Sequence, residues 1–380
     1  MSASDPIYLD HNATTPLLPE VIEAILPYLR EHFGNPSSGH IYGVRTRRAV
    51  ARAREQVAGL LGCDADEVIF TSGGTEANNL AIRGVAEANT GRRQIVTTVI
   101  EHPATSRPCA WLEKHERRVT RIGVDTDGVA RLDEAREAID RGTALVTVMH
   151  SNNETGVLQP VRELAVLAHA AGALFHTDAA QSLGKVRVNV RELEVDLLSV
   201  AGHKVYAPKG VGALYVKRGT PLVPFVLGAG HEGGLRPGTE NVASIVGLGA
   251  ACEAVGRDLD ASTSRMRALR DALWERLAAE IPGLALNGHV DLRLPNTLNV
   301  RFPRATGDAV LAGAPEIAAS TGSACHEGHE SASEVILAMD VAPEEALGSV
   351  RLTLGRSTTD DDVARASEAL VRAWRRLVGE

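Results

Sequence analysis

Between about residues 44 and 216 the chain alternates two rhythms of apolar positions. One is helical, with small and aliphatic residues recurring every three to four positions. It is clearest in VRTRRAVARAREQVAGLL (44–61), where the apolar stripe is separated by arginines and Gly62 supplies a stop. The same spacing predicts helices over 76–88, 104–115, 132–139 and 160–171. The second rhythm is a set of short β-branched runs: VIFT (68–71), QIVTTV (94–99), RVTRIG (118–123), ALVTVM (144–149), ALFHT (173–177), VDLLSV (195–200) and GALYV (212–216). Strands separated by helices need crossover connections, which predicts a mostly parallel sheet. After that the pattern changes. Residues 219–240 are rich in Gly and Pro and read as an irregular, ordered stretch. A single long helical stretch is expected over 241–280, ended by Pro282-Gly283. The remainder mixes strands, PNTLNVRF (295–302), EIAAS (316–320) and SVRLTL (349–354), with a last helix running to Val378 and opened by a capping pair, Thr359 and Asp362. The expected fold class is α/β, a large domain with a mostly parallel sheet followed by a smaller C-terminal α+β domain.

Composition narrows the function. The 380 residues are 44% hydrophobic and 23% charged, enough for a full core. Lys+Arg 40 against Asp+Glu 48 leaves a net charge of −8, and aromatics are 3%. An acidic chain without a basic run or a stacking platform argues against nucleic acid and anionic membrane as partners. Met1 to Asp10 has no basic and apolar leader pattern, and no run of about 18 apolar residues occurs, so a cytoplasmic protein is expected. Cys63, Cys109, Cys252 and Cys325 form no CxxC pair, which removes the zinc-ribbon and thioredoxin-like readings; no metal is expected.

The chemistry-bearing residues follow strands. VIFT leads into Ser72-Gly73-Gly74-Thr75, QIVTTVI into Glu101-His102-Pro103 and ALVTVM into His150-Ser151-Asn152-Asn153-Glu154. ALFHT leads into Asp178-Ala179-Ala180-Gln181, and VDLLSV into Ala201-Gly202-His203-Lys204. Any one of these is an ordinary solvated loop; five along one sheet edge are a site, because open α/β sheets bind ligands at the carboxyl ends of their strands. Gly73-Gly74-Thr75 between strand and helix suits an anion, presenting helix N–H groups and a hydroxyl, although it is neither a P-loop nor GxGxxG. Lys204 facing such a cradle and Asp178 suits a Schiff base with an aldehyde cofactor whose ring nitrogen the aspartate would hold. Cys325 stands in the polar segment STGSACHEGHESAS, unlike Cys252 in apolar GLGAACEAV. It is therefore the candidate reactive thiol, with His326 and His329 able to lower its pKa when protonated.

These motifs resemble the aminotransferase class V group of pyridoxal-phosphate enzymes, in particular the NifS/IscS-type cysteine desulfurases and the related selenocysteine lyases. The resemblance runs from YLDHNATTP (8–16) through FGNPSS (33–38), TSGGTEANNLAIRG (71–84), EHPA (101–104), NNETG (152–156), HTDAAQSLGK (176–185), GHKVYAPKG (202–210), RPGTEN (236–241), LPNTLN (294–299) and STGSAC (320–325) to VRLTLGR (350–356). It implies the type I fold of pyridoxal-phosphate-dependent transferases, with a large domain over 12–258 and a small one from 1–11 and 259–380 that carries the cysteine loop. It implies pyridoxal 5'-phosphate bonded to Lys204, which also moves the Cα proton. His102 would stack on the ring, Asp178 would partner its nitrogen and Gln181 would donate to its hydroxyl. Gly74, Thr75 and His203 would hold the phosphate, joined by Thr239 from the second subunit of a homodimer. Asn153 and Arg351 would grip the substrate carboxylate. Cys325 would receive sulfur from L-cysteine as a persulfide and pass it to a sulfur-acceptor protein. Two alternatives stay open on the same residues: selenocysteine lyase acting on L-selenocysteine, and a non-catalytic cofactor-binding partner protein. One departure stands out. Relatives of the desulfurase type usually carry Ser or Thr at the position of Ala201, so one hydroxyl to the cofactor phosphate is missing.

Overall fold

The computed structural model describes residues 5–322 and 331–380. Twelve strands lie among them: β1 (Ile7–Tyr8), β2 (Val68–Thr71), β3 (Gln94–Thr98), β4 (Arg118–Ile122), β5 (Thr143–Thr147), β6 (Leu174–Asp178), β7 (Leu197–Ala201), β8 (Gly212–Val216), β9 (Ala285–Leu286), β10 (Thr297–Arg301), β11 (Ile317–Ala318) and β12 (Ser349–Thr353). Seven of these form the central sheet in the order β2-β8-β7-β6-β5-β3-β4. Pairs from β7 through β6, β5 and β3 to β4 are parallel, whereas β8 is antiparallel to both its neighbours. Two reversals cancel, so β2 runs the same way as β7. The carboxyl ends of β2, β3, β5, β6 and β7 therefore share one edge of the sheet.

The strands are short apolar runs because both faces of the sheet are covered. Strands β2, β3, β5, β7 and β8 are buried along their whole length. Successive residues point to opposite faces. Phe70, Val96, Val146, Leu198 and Tyr215 thus enter one core layer with helices Ile41–Leu61, Val161–Ala170 and Val242–Arg257. Their neighbours Ile69, Ile95, Leu145, Leu197 and Leu214 enter the other, against helices Gly74–Ala88 and Pro103–Lys114. Edge strand β4 carries Arg118 and Arg121 and is largely uncovered, a charged edge that resists pairing with another chain.

A third core lies in the C-terminal part. Strands β12, β10 and β9 form an antiparallel sheet, and β1 pairs with β11 in parallel. Helices Leu259–Glu280 and Asp360–Val378 close over it, burying Leu273, Leu277, Leu352, Leu370 and Trp374. The Trp374 indole N–H is satisfied by the Pro303 carbonyl at 2.9 Å. The capping pair at Thr359 and Asp362 forms in both directions.

The structure departs from expectation at three places. The single helix expected over 241–280 is two, Val242–Arg257 and Leu259–Glu280, with Asp258 non-helical between them (φ −133°, ψ 28°) and paired with Arg356. The first helix packs into the large-sheet core and the second into the C-terminal core, so the break falls at their border. Helix Pro19–Arg30 was not among the expected elements; Pro19 stands at the start of the helix, where the missing N–H costs nothing. Strand β8 is the antiparallel member of a sheet whose other pairs, β2 with β8 apart, are parallel.

Candidate active site

A cavity of about 280 Å³ opens along the shared strand edge. Its wall includes Gly74, Thr75, His102, Asn153, Asp178, Gln181, His203 and Lys204. After β2 the chain turns at Gly73 (φ 152°, ψ 179°), a conformation that favours glycine, and helix Gly74–Ala88 begins. The first N–H groups of a helix have no partner inside it. They form the positive end of the cavity. A methyl group built on Gly74 would lie 3.2 Å from Ala201 Cβ, so the residue at 201 faces this helix end directly.

Asp178 ends β6 and is buried. Its carboxylate accepts Asn78 Nδ2 at 2.6 Å and the Ala180 N–H at 2.9 Å, which fixes its plane. Asn78 Oδ1 has no partner among the described residues although it is buried. His102 caps helix Pro103–Lys114: its Nδ1 accepts the Ala104 N–H at 3.1 Å. The neutral ring therefore carries its proton on Nε2. Burial lowers the His102 pKa against the raising pull of Asp178, and Lys204 lowers it further, so the neutral form is favoured. His203 is brought down to about 4 by burial and by Lys204, Lys209 and Lys185.

Lys204 follows β7 in a short turn, Gly202–Lys204. Its amine donates to the carbonyls of Asn12 and, at 2.8 Å, Ala13. Burial, with Arg351 adding to it, brings its pKa down to about 8 against the raising pull of Asp10 and Asp178. A neutral amine is thus accessible near physiological pH, as a Schiff-base lysine needs.

Beneath these residues is a buried polar junction that sequence reasoning missed. The Asn12 carbonyl accepts Gln181 Nε2 at 2.9 Å, and Asn12 Oδ1 accepts Lys185 Nζ at 3.2 Å and Asn296 Nδ2 at 3.1 Å. Asn12 Nδ2 donates to Thr297 Oγ1 at 3.0 Å. Lys185 also donates to Gln181 Oε1 at 3.0 Å. Lys185 thus holds the amide oxygen of Gln181, and the Gln181 NH₂ group is left to face Asn12 and the cavity. Burial holds the Lys185 pKa well below its ordinary value, with Lys204 and Arg351 adding to the effect. The signal was present in Lys185, which closes HTDAAQSLGK, but that lysine was given no role. Glu101, named with His102 at the end of its strand but given no role, accepts Thr98 Oγ1 at 2.6 Å and the Met149 N–H at 3.0 Å, and burial pushes it up to about 8.

Arg351 lies on β12, outside the cavity wall. Its Nη2 pairs with Asp10 at 2.7 Å and its Nη1 donates to the Asn153 carbonyl at 3.0 Å, while Nε is buried without a partner among the described residues. Arg351 and Asn153 are therefore brought together through the Asn153 main chain. Thr239 is exposed and does not join the cavity of its own chain. Its stretch is tied to the first turn of helix Gly74–Ala88 by Arg236 and Glu76 at 2.8 Å. Cys325, with His326 and His329, lies outside the described residues. Of the other thiols, Cys109 and Cys252 are buried and Cys63 half-buried; burial pushes all three up to about 12, where a thiolate is scarce.

This donor set fits pyridoxal phosphate: a helix end for a phosphate, a doubly anchored carboxylate for a protonated ring nitrogen, an amide NH₂ for a ring hydroxyl and an amine of lowered pKa for the aldehyde.

Comparison with known proteins agrees with that chemistry. The model of the family "Aminotransferase class-V" matches residues 7–366. A cysteine desulfurase of Gluconacetobacter diazotrophicus is 46% identical over 368 residues, covering 96% of this chain and 92% of that relative. The cysteine desulfurase IscS of Dictyoglomus turgidum is 44% identical over 374 residues, covering 98% and 95%. A solved NifS-like protein superposes with a TM-score of 0.91 at 35% identity, covering 99% of this chain and all of that one.

Proposed function

The chain belongs to the aminotransferase class-V family, among the NifS/IscS-type cysteine desulfurases, and we propose that the cavity at the strand edge carries out desulfuration with the residues described above. It is a pyridoxal-phosphate-dependent enzyme that turns L-cysteine into L-alanine. The observation that carries the residue assignment is the convergence of Lys204, Asp178 and the N-terminus of helix Gly74–Ala88 on one cavity.

When bound, pyridoxal phosphate supplies an aldehyde to bond an amine and a protonated ring to withdraw electrons from Cα. Helix Gly74–Ala88 and Thr75 would hold the phosphate, with His203 beside them. Asp178, kept planar by Asn78 and Ala180, would keep the ring nitrogen protonated. His102 would offer its ring face and the Nε2 proton. Lys204 would bond the aldehyde and, when free, would carry the Cα proton on Nζ. Asn153 and Arg351 orient the substrate carboxylate, Arg351 as a planar fork. The Cys325 thiolate attacks the substrate sulfur. An S–S bond forms and the C–S bond breaks, its electron pair staying with Cβ, which takes a proton and becomes the methyl group of alanine. L-Cysteine and one enzyme thiol thus give L-alanine and one enzyme persulfide. The persulfide sulfur then passes to an acceptor protein, as iron–sulfur cluster assembly requires.

We read the active form as a homodimer in which Thr239 reaches the partner's phosphate site. In support, Leu29, Phe33 and Ile41 are strongly exposed apolar residues, as is Leu227 within the Gly/Pro-rich stretch that carries Thr239, and Ser37 meets His231 of that stretch at 3.4 Å. The division into domains 12–258 and 1–11 with 259–380 is supported by the separate cores and by the helix break at Asp258. No helix among the described residues is long and apolar enough to cross a membrane. A reducing cytoplasm suits three free thiols and a reactive fourth.

The test is alanine release from L-cysteine and L-selenocysteine measured side by side. Release from cysteine, abolished in Cys325→Ala, is expected. Release from selenocysteine alone would replace this reading with that of a selenocysteine lyase.

A further inference from the structure

Strand β2 is the outer strand of the central sheet and pairs with β8 on one side. In an antiparallel pair alternate residues turn their N–H and C=O groups away from the partner strand. On β2 such groups belong to Val68 and Phe70, and two side chains take the place of a further strand. Glu232 Oε2 accepts the Phe70 N–H at 2.8 Å. Arg54, from helix Ile41–Leu61, donates through Nη1 to the Val68 carbonyl. The two side chains also meet each other as a fork. Arg54 Nη1 lies 2.7 Å from Glu232 Oε2, and Nη2 lies 2.6 Å from Oε1. The guanidinium sits 4.6 Å from the centre of the Phe70 ring. The Glu232 side chain is 3% exposed, so one arginine and one strand replace the water that its carboxylate has given up.

Glu232 also carries an unusual backbone. It adopts φ 49° and ψ 45°, left-handed values that a residue with a side chain rarely takes, and Gly233 and Gly234 continue with positive φ. The chain doubles back there within a few residues. His231 Nδ1 accepts the Gly238 N–H at 3.3 Å and closes residues 231–238 into a loop. Inside that loop Arg236 pairs with Glu76, whose Oε2 also accepts the Ser72 N–H at 2.9 Å. Two ion pairs thus fasten one loop to β2 and to the start of the helix after it. Thr239 follows the closing bond directly and is exposed.

Resting on the homodimer reading above, we propose that Arg54 and Glu232 are positioning residues that act across the dimer: they hold the loop 231–238 on the open edge of β2 and so present Thr239 to the partner's phosphate site. Neither residue lines the cavity of its own chain. A Gly/Pro-rich stretch without regular structure would otherwise place the Thr239 hydroxyl in many positions. The buried fork offsets the strain at Glu232 and orders Thr239 before the cofactor arrives, so that ordering does not weaken binding.

The experiment measures pyridoxal phosphate affinity by equilibrium titration of cofactor-free, full-length dimers, reading the lysine-bonded absorbance band. Glu232→Ala homodimers are expected to bind about 10-fold more weakly. Glu232→Gln keeps an acceptor for the Phe70 N–H and should lie closer to wild type. Mixed dimers then give the direction. When a Glu232→Ala subunit is paired with a Lys204→Ala subunit, the band forms only in the first, whose phosphate meets the unaltered loop of the second. Wild-type affinity is expected. With both substitutions in one subunit and a wild-type partner, the band forms in the wild-type subunit against the altered loop, and weak binding should return. A merely structural loss would follow the altered subunit instead. That reversed pattern, or wild-type affinity in the Glu232→Ala homodimer, overturns the inference. Arg54→Met serves in the same series, with the same two outcomes, should Glu232→Ala fail to assemble. Thr239→Ala separates the reading beneath. Wild-type affinity in its homodimer overturns the Thr239 assignment itself, whereas weak binding there beside wild-type binding in Glu232→Ala overturns the inference alone.

Discussion

Two walls of the site are built by different means, one lining the cavity and one standing beside it. The first wall comes from one sheet: Gly74, His102, Asp178 and Lys204 stand at or after the carboxyl ends of strands that run the same way. The second wall is assembled from distant pieces. Arg351 sits on a second sheet, Asp10 comes from the N-terminus, and Glu154 reaches across to Ser333. Chemistry on the first wall inherits its precision from the strands. On the second wall it depends on a few buried hydrogen bonds between segments far apart in sequence. A substitution on the first wall should therefore alter cofactor capture, and one on the second should alter turnover with the cofactor still in place.

The strongest way to break this contrast is at Lys204. Lys204→Ala should lose the visible absorbance of bound cofactor in its lysine-bonded form together with all alanine formation. A variant that retains either would remove Lys204 from the first wall. A second test uses the titration of the same amine. Because burial brings Lys204 down to about 8, its neutral, nucleophilic form rises with pH and predominates above that value. The rate at which cofactor-free protein develops the lysine-bonded band on mixing with pyridoxal phosphate should climb through about pH 8 and then level off. A rate still climbing towards pH 10 would mean that the cavity leaves this lysine unperturbed.

Lys185 sharpens the comparison because it lies below the first wall without touching the cavity. Lys185→Met removes the donor that holds Gln181 Oε1 and leaves Asn12 Oδ1 short of one partner. Cofactor affinity should fall about 10-fold, in line with a loss of roughly 1–3 kcal/mol for a disrupted buried polar pair. Unchanged affinity, measured by equilibrium titration, would show that Gln181 is oriented without it. The smallest effect is expected at Ala201. Its side chain faces the N-terminus of helix Gly74–Ala88, where Ala201→Ser adds one neutral donor worth about 0.5–1.5 kcal/mol. Cofactor dissociation should tighten about 2- to 10-fold; no change would mean that water or backbone already serves that position.

The same contrast explains what could be read from the sequence. The first wall was legible because a strand and the polar residues after it are contiguous: VDLLSVAGHK carries both the strand and its lysine. The bounds of GALYV and the end of the last helix at Val378 were legible for the same local reason. The antiparallel course of β8 was not, since direction depends on the connection and not on the apolar run. The break at Asp258 was hidden because both helices share one continuous period, and only packing into two cores separates them. The meeting of Asn12 with Lys185 was invisible. Asn12 contacts Gln181, Lys185 and Thr297, and no local spacing encodes such a meeting. A buried lysine looks, in sequence, like a solvated one.

The central claim is that sulfur leaves the substrate only onto the Cys325 thiolate, and one measurement addresses it directly. The enzyme is incubated with L-cysteine without an acceptor, alanine is quantified, and the peptide carrying Cys325 is weighed. The account predicts one persulfide sulfur on Cys325 for each alanine released in the first turnover, with neither product in Cys325→Ala. Alanine released by Cys325→Ala at the wild-type rate, or a persulfide found instead on Cys63, Cys109 or Cys252, would contradict it.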